Sequence, residues 1–296
     1  VRPSGALIEG AVLAAVGVAC LAFQLWLPST QVAEADYQAV ARVLEAERQP
    51  GDVVLLAPWW TERARIYVPS GLPVVGYLRS DGDHLKRHPR IWVLSQPRLP
   101  NAQLGDFERA FLPGRTALGE ARQFGNLTLR LYQNGRARPV GFEASAELPR
   151  AQVYLEQPDG SRQPCPWNGA GHRCPNGRVV AREWHEVRFQ PLDCVRLDAP
   201  GGPTRVVVEF DAVPGPLTLG LEGGYIWEYA AHQSTSSTLG LEVNGVTHAL
   251  DLPNAVEKLH RLEVREGGGK VRLWLSSPSA ASRHVCATLT GYGGAP

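Results

Sequence analysis

Residues 5–27 read GALIEGAVLAAVGVACLAFQLWL and carry one charge, Glu9. As a helix this run is long enough to cross a hydrocarbon core of roughly 30 Å, and it decides where the rest of the chain works. A membrane-anchoring helix is the leading reading, with Trp26 placed at the interface where indole rings settle. A cleaved signal peptide is the second, because Ala33-Glu34-Ala35 resembles an A-x-A cleavage site. A buried core helix is the third. Arg2 is the sole cation before the run, and the next one downstream is Arg42. That bias puts the N-terminus inside and the body outside.

Beyond Pro28 the sequence is polar enough for water. In 296 residues there are 30 basic and 29 acidic side chains, a net charge of +1. No basic run appears, which argues against nucleic acid as a partner. Glycine (31) and proline (24) are plentiful, as suits short strands and turns. Methionine is absent even from position 1, as expected of a valine start read literally or of a piece of a longer protein.

Cys20 lies in the apolar run, and Cys165, Cys174, Cys194 and Cys286 lie in the second half. Four cysteines allow three pairings. The favoured one joins Cys165 to Cys174 across a Pro/Gly-rich loop and Cys194 to Cys286 between an early and a late strand. An even set in an exported body suits an oxidising compartment. The rival is a metal site from Cys165, His172, Cys174 and His185, although the spacing is not that of a zinc finger or ribbon.

Along the chain, a helix is expected from Asp36 as N-cap, with Tyr37, Val40, Ala41 and Leu44 on one face, stopping at Pro50-Gly51. VVLLAP after Asp52, VVGYL within residues 72–78 and RIWVLS at 90–95 read as strands. Thr61 is placed to cap a short helix, residues 104–112 form an amphipathic one, and LTLRLY at 127–132 closes the unit. From Arg138 the pattern changes to short alternating runs: AQVYLE, REWHEVRF, RVVVEFDAV, LTLGLE, LGLEVNG, HRLEVRE and KVRLWLS. Turn signals at Pro158-Asp159-Gly160, Asn244-Gly245 and Gly267-Gly268-Gly269 separate them. The expected architecture is α+β and multi-domain. It has an N-terminal transmembrane helix (1–30), a small α/β domain (31–136) and a disulfide-containing, jelly-roll-like β-sandwich (137–296).

Three places cluster groups able to hold a ligand. Trp59 and Trp60 sit beside Glu62 and Arg63 after the first strand, where α/β sheets place ligands. The bland alternative is that the pair seals the sheet or faces the membrane. Asp81, Asp83 and His84 set two carboxylates and a histidine together, as acid–base hydrolysis or a divalent cation needs, but DGD is also ordinary turn chemistry. Tyr225, Trp227 and Tyr229 share one face of a strand, either as an exposed sugar platform with Glu222 nearby or as sandwich core. No nucleophile elbow, phosphate loop, dinucleotide fingerprint or zinc-protease helix is present. No catalytic residue and no cofactor is therefore nominated.

The order of parts resembles a known family. An apolar helix is followed by a second helix, Pro50-Gly51-Asp52-Val53-Val54-Leu55, Tyr67 and Arg90-Ile91-Trp92-Val93-Leu94. This resembles the C-terminal extracytoplasmic part of the dolichyl-phosphate-mannose–protein mannosyltransferase-like glycosyltransferases, multi-span enzymes of the GT-C class. Asp193-Cys194-Val195 and Arg283-His284-Val285-Cys286 resemble a β-sandwich appended to some bacterial members. The family's catalytic carboxylates lie in the first extracytoplasmic loop, between membrane helices, so none maps onto this chain. The resemblance implies a non-catalytic extracytoplasmic portion of such an enzyme, or a protein derived from one. The residues alone support a membrane-tethered carbohydrate- or protein-binding module. Expected partners are the lipid bilayer and either a glycan or other membrane helices, with the body periplasmic or at the cell surface.

Overall fold

A computed structural model describes residues 5–58, 61–76, 83–97, 104–187, 190–226, 235–253, 259–281 and 283–293. The apolar run forms helix α1, Gly5–Thr30. Its window Glu9–Trp26 has a mean hydropathy of 1.6 and no buried residue. That exposure removes the core-helix reading. Length and composition suit a membrane anchor or a signal sequence, and the two disulfides described below fit an oxidising, extracytoplasmic compartment.

Packing divides the chain into two compact units, residues 1–79 with 90–133, and residues 80–89 with 134–296. In the first unit α1 is followed by α2 (Glu34–Glu47), β1 (Val53–Ala57), β2 (Val74–Gly76), β3 (Arg90–Ser95), α3 (Leu104–Phe111), β4 (Arg115–Ala117), β5 (Arg122–Phe124) and β6 (Leu127–Asn134). Strand order is β2-β1-β3-β6-β4, with β5 beside β6. β1 runs parallel to β2 and β3, and β6 runs antiparallel to β3.

The α2 face predicted from periodicity is the buried one, with Tyr37, Val40 and Leu44 inside. Its start differs from expectation. Ala33 is the N-cap and Asp36 lies in the first turn, where its charge still favours the helix N-terminus. Thr61 takes the N-cap position expected of it, but its side chain makes no capping bond. Its hydroxyl donates to the Pro58 carbonyl at 2.7 Å, ahead of a 3-10 turn at Glu62–Ile66. Asp52 of the Pro-Gly-Asp motif is buried. It accepts from the Trp92 indole at 2.8 Å and the Gln49 amide at 3.0 Å, and pairs with Arg90 at 3.2 Å. The motif thus clasps the start of β1 to β3.

The second unit holds β7 (Val140–Glu143), β8 (Gln152–Glu156), β9 (Arg162–Pro164), β10 (Gly171–Arg173), β11 (Val179–Val187), β12 (Gln190–Asp198), β13 (Arg205–Tyr225), β14 (Ser237–Val243), β15 (Val246–Leu252), β16 (His260–Ser276) and β17 (His284–Tyr292). The segment 80–89 belongs here. Asn134 donates to the Leu85 and His88 carbonyls at 2.9 Å each, and Arg87 grips Glu143 through two 2.9 Å bonds.

Two runs read as separate strands are each half of one. RVVVEFDAV and LTLGLE form β13, and HRLEVRE and KVRLWLS form β16. Gly267–Gly269 is therefore a bend inside a strand and not a turn between two. The register between β13 and β16 shifts between Phe210 and Leu219, where the chain turns a corner as bulged strands do. Glycine is required there. A side chain on Gly268 would meet the Gly215 Cα at 2.8 Å, and Gly269 sits at φ +70.

The first half of β13 pairs with β8 and with the second half of β16, which continues to β14 and β15. Its second half pairs with β17, which continues to β12, β11 and β10. The two layers close on one core that draws Val206, Val208, Leu241 and Leu273 from the first and Leu219, Leu221, Val195 and Leu289 from the second. Both favoured disulfides form, Cys165–Cys174 and Cys194–Cys286, and Cys20 is free.

Candidate functional site

Trp59, Trp60, Asp81, Trp227 and Tyr229 lie outside the described residues. Glu62 is paired with Arg65 in its exposed 3-10 turn. Asp83 and His84 open another such turn, Asp83–Arg87. Tyr225 is 2 % exposed and belongs to the sandwich core. Its hydroxyl donates to the Leu252 carbonyl at 3.0 Å, and the Arg283 guanidinium lies 5.1 Å from its ring centre. Tyr225 is therefore packing between the layers and not a sugar platform. Glu222 is also buried and pairs with Arg261 at 2.7 Å.

The alternative metal set does not form. Cys165 and Cys174 are bonded to each other, and the His172 ring nitrogens face the Cys165 and Leu148 carbonyls at 2.9 and 3.1 Å. Among the described residues no three His, Cys, Asp or Glu side chains gather as a metal site.

Two surfaces that the sequence reading did not nominate carry more chemistry. The first surrounds Trp184 on β11, which is 66 % exposed. It faces Asp193 directly across the β11–β12 ladder, so the two side chains start about 5 Å apart. Arg182, two residues earlier on the same face, forks onto Asp193 at 2.9 and 2.5 Å. That hydrogen bonding holds the Arg182 guanidinium above its ordinary range. At Arg87 burial works the other way, but the bonds and charge of Glu143 outweigh it and the net shift is again upward. Glu143 also acts on Arg182 and Asp193 on Arg87, so the two forked pairs lie within electrostatic reach. The result is one wet indole beside ordered carboxylates and guanidinium groups.

The second surface is the outer face of the first layer. Strand alternation sends Val153, Leu155, Val206 and Val208 inward and Tyr154, Glu156, Arg205, Val207 and Glu209 outward. Arg272 binds this face together. It donates to the Tyr154 hydroxyl at 3.1 Å, to Glu242 at 2.9 Å and to Glu156 at 2.5 Å, and lies 3.4 Å from Glu209. Tyr154 donates to Glu209 at 2.8 Å, and Lys270 reaches the same carboxylate at 2.6 Å.

Burial pushes the Tyr154 hydroxyl up to about 12, helped by the Glu209 carboxylate it donates to. Burial also opposes ionisation of Glu156 and Glu209. Hydrogen bonds from Arg205 and Arg272 to Glu156, and from Lys270 and Tyr154 to Glu209, outweigh it and leave both carboxyls below their ordinary values. Trp274 lies flat on Gly240, where a Cβ would meet its ring at 1.9 Å. Arg162 covers the Tyr154 ring at 4.5 Å and Arg205 covers Trp274 at 5.2 Å.

A signal for Trp184 was present in REWHEVRF, where its neighbours at i±2 are Arg182 and Glu186. The ring stands on a strand face between charged neighbours, which alternation sends to the same side. The second surface joins residues from five strands, and no local pattern announces it.

No protein-family model and no curated protein matches the chain. Among solved structures, it is similar to the CBM51-2 and INT domains of ZmpB from Clostridium perfringens, at 12% identity and a TM-score of 0.25. That match covers 48% of this chain and 26% of the other, so the chain spans about a quarter of that structure's length. A xylan-binding module, CBM15, matches at 6% identity and a TM-score of 0.27, over 49% of this chain and 93% of the module. CBM35 from Cellvibrio japonicus Abf62 matches at 18% identity and a TM-score of 0.24, over 48% of this chain and 94% of the module. Superpositions this loose establish neither a shared fold nor a shared ligand.

Proposed function

We propose that this chain is a membrane-tethered module whose extracytoplasmic β domain binds carbohydrate and performs no chemistry on it. Trp184 is the observation that carries the reading. A bare indole beside forked Arg–carboxylate pairs offers a sugar what it needs: a flat ring for its C–H face, and fixed acceptors and donors for its hydroxyls. In this reading α1 is the tether, with its N-terminus inside and the body outside. The test is retention on a glycan array by the full chain in detergent, compared with Trp184→Ala. Retention by the parent and its loss in the variant are expected, with stability changed by no more than about 0.5 kcal/mol, as for an exposed site. A parent that retains no glycan, or a variant that retains it equally, refutes the proposal.

The resemblance to the GT-C enzymes supports a second reading, in which the chain is the non-catalytic extracytoplasmic part of a glycosyltransferase. The observation in its favour is α1 itself, whose one charged residue is Glu9. Carboxylates at membrane depth tend to face other helices. Affinity purification in mild detergent separates the two readings. Elution without a multi-span glycosyltransferase is expected for a tethered module, and stoichiometric co-elution would favour the second reading.

A further inference from the structure

Only three residues, Gln31, Val32 and Ala33, separate α1 (Gly5–Thr30) from α2 (Glu34–Glu47). The middle one is no free linker. Val32 is buried in the first unit's core with Tyr37, Val40 and Ala64. From Trp26 the chain reaches Val32 within about 13 Å, four residues at helical rise and two extended. The headgroup layer takes up roughly 5–8 Å of that distance. With Trp26 at the edge of the hydrocarbon, the end of the unit beside the start of α2 is therefore held at the bilayer surface.

The 3-10 turn Glu62–Ile66 stands at that end. Its Ala64 shares the core cluster with Val32. Tyr67, just after it, stacks on Tyr37 with ring centres 5.0 Å apart, and the Arg63 guanidinium lies 5.9 Å from the Tyr37 ring centre. Residues three apart in a 3-10 turn eclipse one another, so Ile66 shares the side of the turn from which Arg63 reaches α2. Among the described residues no large apolar side chain is more exposed than Ile66, at 78 %. Those that come nearest, Leu13 and Leu25 at 73 %, belong to α1. A lone exposed isoleucine is ordinary on a surface, but one beside so short a tether is in place to enter lipid. Arg63 is exposed and among the described residues pairs with no carboxylate, whereas Arg65 is held by Glu62.

We propose that the turn Glu62–Ile66 is a second membrane contact, in which Ile66 enters the headgroup–acyl boundary and Arg63 donates to a lipid phosphate. The inference rests on the tether in the reading above and adds to it a surface that involves neither Trp184 nor a glycan. Glu34 and Asp36 stand in the first turn of α2, so the contact does not depend on net positive charge and its main part is apolar. It need not be strong, because α1 already holds the turn at the surface and supplies a high local concentration. Its effect is to fix which face the α/β unit turns to the membrane.

The test uses the full chain in phosphatidylcholine nanodiscs, labelled with nitrobenzoxadiazole. One sample carries the label on Cys20, the free thiol, and another on Ile66→Cys in a Cys20→Ser background. A nitroxide on the lipid acyl chain serves as the quencher in the membrane, and iodide as the quencher in water. Expected at position 66 are strong quenching by the nitroxide, shielding from iodide, and no loss of nitroxide quenching in high salt. Adding Arg63→Gln is expected to weaken the nitroxide quenching. Both side chains are exposed, and a circular dichroism spectrum matched to the parent excludes misfolding. A label at position 66 that iodide quenches and the nitroxide does not overturns the proposal, while nitroxide quenching at Cys20 shows that the tether itself stands. Shielding of position 66 from both quenchers means that protein covers the turn, and also overturns the proposal. A Cys20 label that the nitroxide does not quench removes the tether and the proposal with it.

Discussion

Replacing Cys194 and Cys286 together by alanine is expected to remove about 4–5 kcal/mol of stability, the largest effect of any covalent change in the β domain. The bond closes a loop of 92 residues, and the chain-entropy relation for that length gives this magnitude. Removing the Cys165–Cys174 bond, with a separation of 9, is expected to cost about 2.5–3 kcal/mol by the same relation. Domains of this kind are stable by only about 5–15 kcal/mol. The first variant therefore loses about a quarter or more of its margin, and the second loses roughly 60 % as much as the first. Urea unfolding of both double variants under oxidising conditions decides the point. If the short loop proves the costlier to open, the entropic account of the long one fails.

Arg272→Ala is expected to cost about 3–5 kcal/mol, the usual penalty for removing one member of a buried ionic cluster. The guanidinium is 10 % exposed and serves Glu156, Glu209, Glu242 and Tyr154 together. Its loss leaves Glu156 and Glu209 buried beneath the sheet surface with fewer counter-charges. Arg272→Lys keeps the charge but cannot fork among the same partners, and should fall in between.

Acid supplies an independent signature. Both glutamates titrate below 4.5 in the folded chain. The stability they contribute is thus fully present above the unfolded value and is lost as pH falls through the lower folded values. In Arg272→Ala burial is less opposed and those folded values rise, so the variant loses less to acid. The gap between parent and variant should narrow between neutral pH and about pH 3.5, as read from urea midpoints. A gap that stays constant would mean that Arg272 acts by packing alone.

Much of this architecture was legible because local chemistry encodes it. The run from Gly5 to Leu27 has room for nothing but an apolar helix. Both disulfides followed from an even cysteine set and from loop chemistry around Cys165 and Cys174. Tyr37, Val40 and Leu44 declared their buried face by period alone. What failed to show was long-range. Gly267–Gly269 looks like a hairpin turn until Pro214–Pro216 is found opposite it, because the same glycines serve a turn or a bend. Ala33 replaced Asp36 as N-cap because the helix gained a further turn. The Arg272 cluster needed the register of β8, β13, β14 and β16, which no window of sequence contains. Tyr225 read more readily as core than as ligand platform, but alternation alone fixes a face and not which way that face points.

The uninterrupted passage of β13 and β16 through both layers has a consequence for how the domain fails. A sandwich whose sheets are joined only by loops can let one sheet loosen while the other holds. Here each layer is an extension of the same two ribbons, so fraying that begins at one end travels along a continuous hydrogen-bonded track into the other. Partial opening is correspondingly unprofitable. The domain is built to be wholly shut or wholly undone.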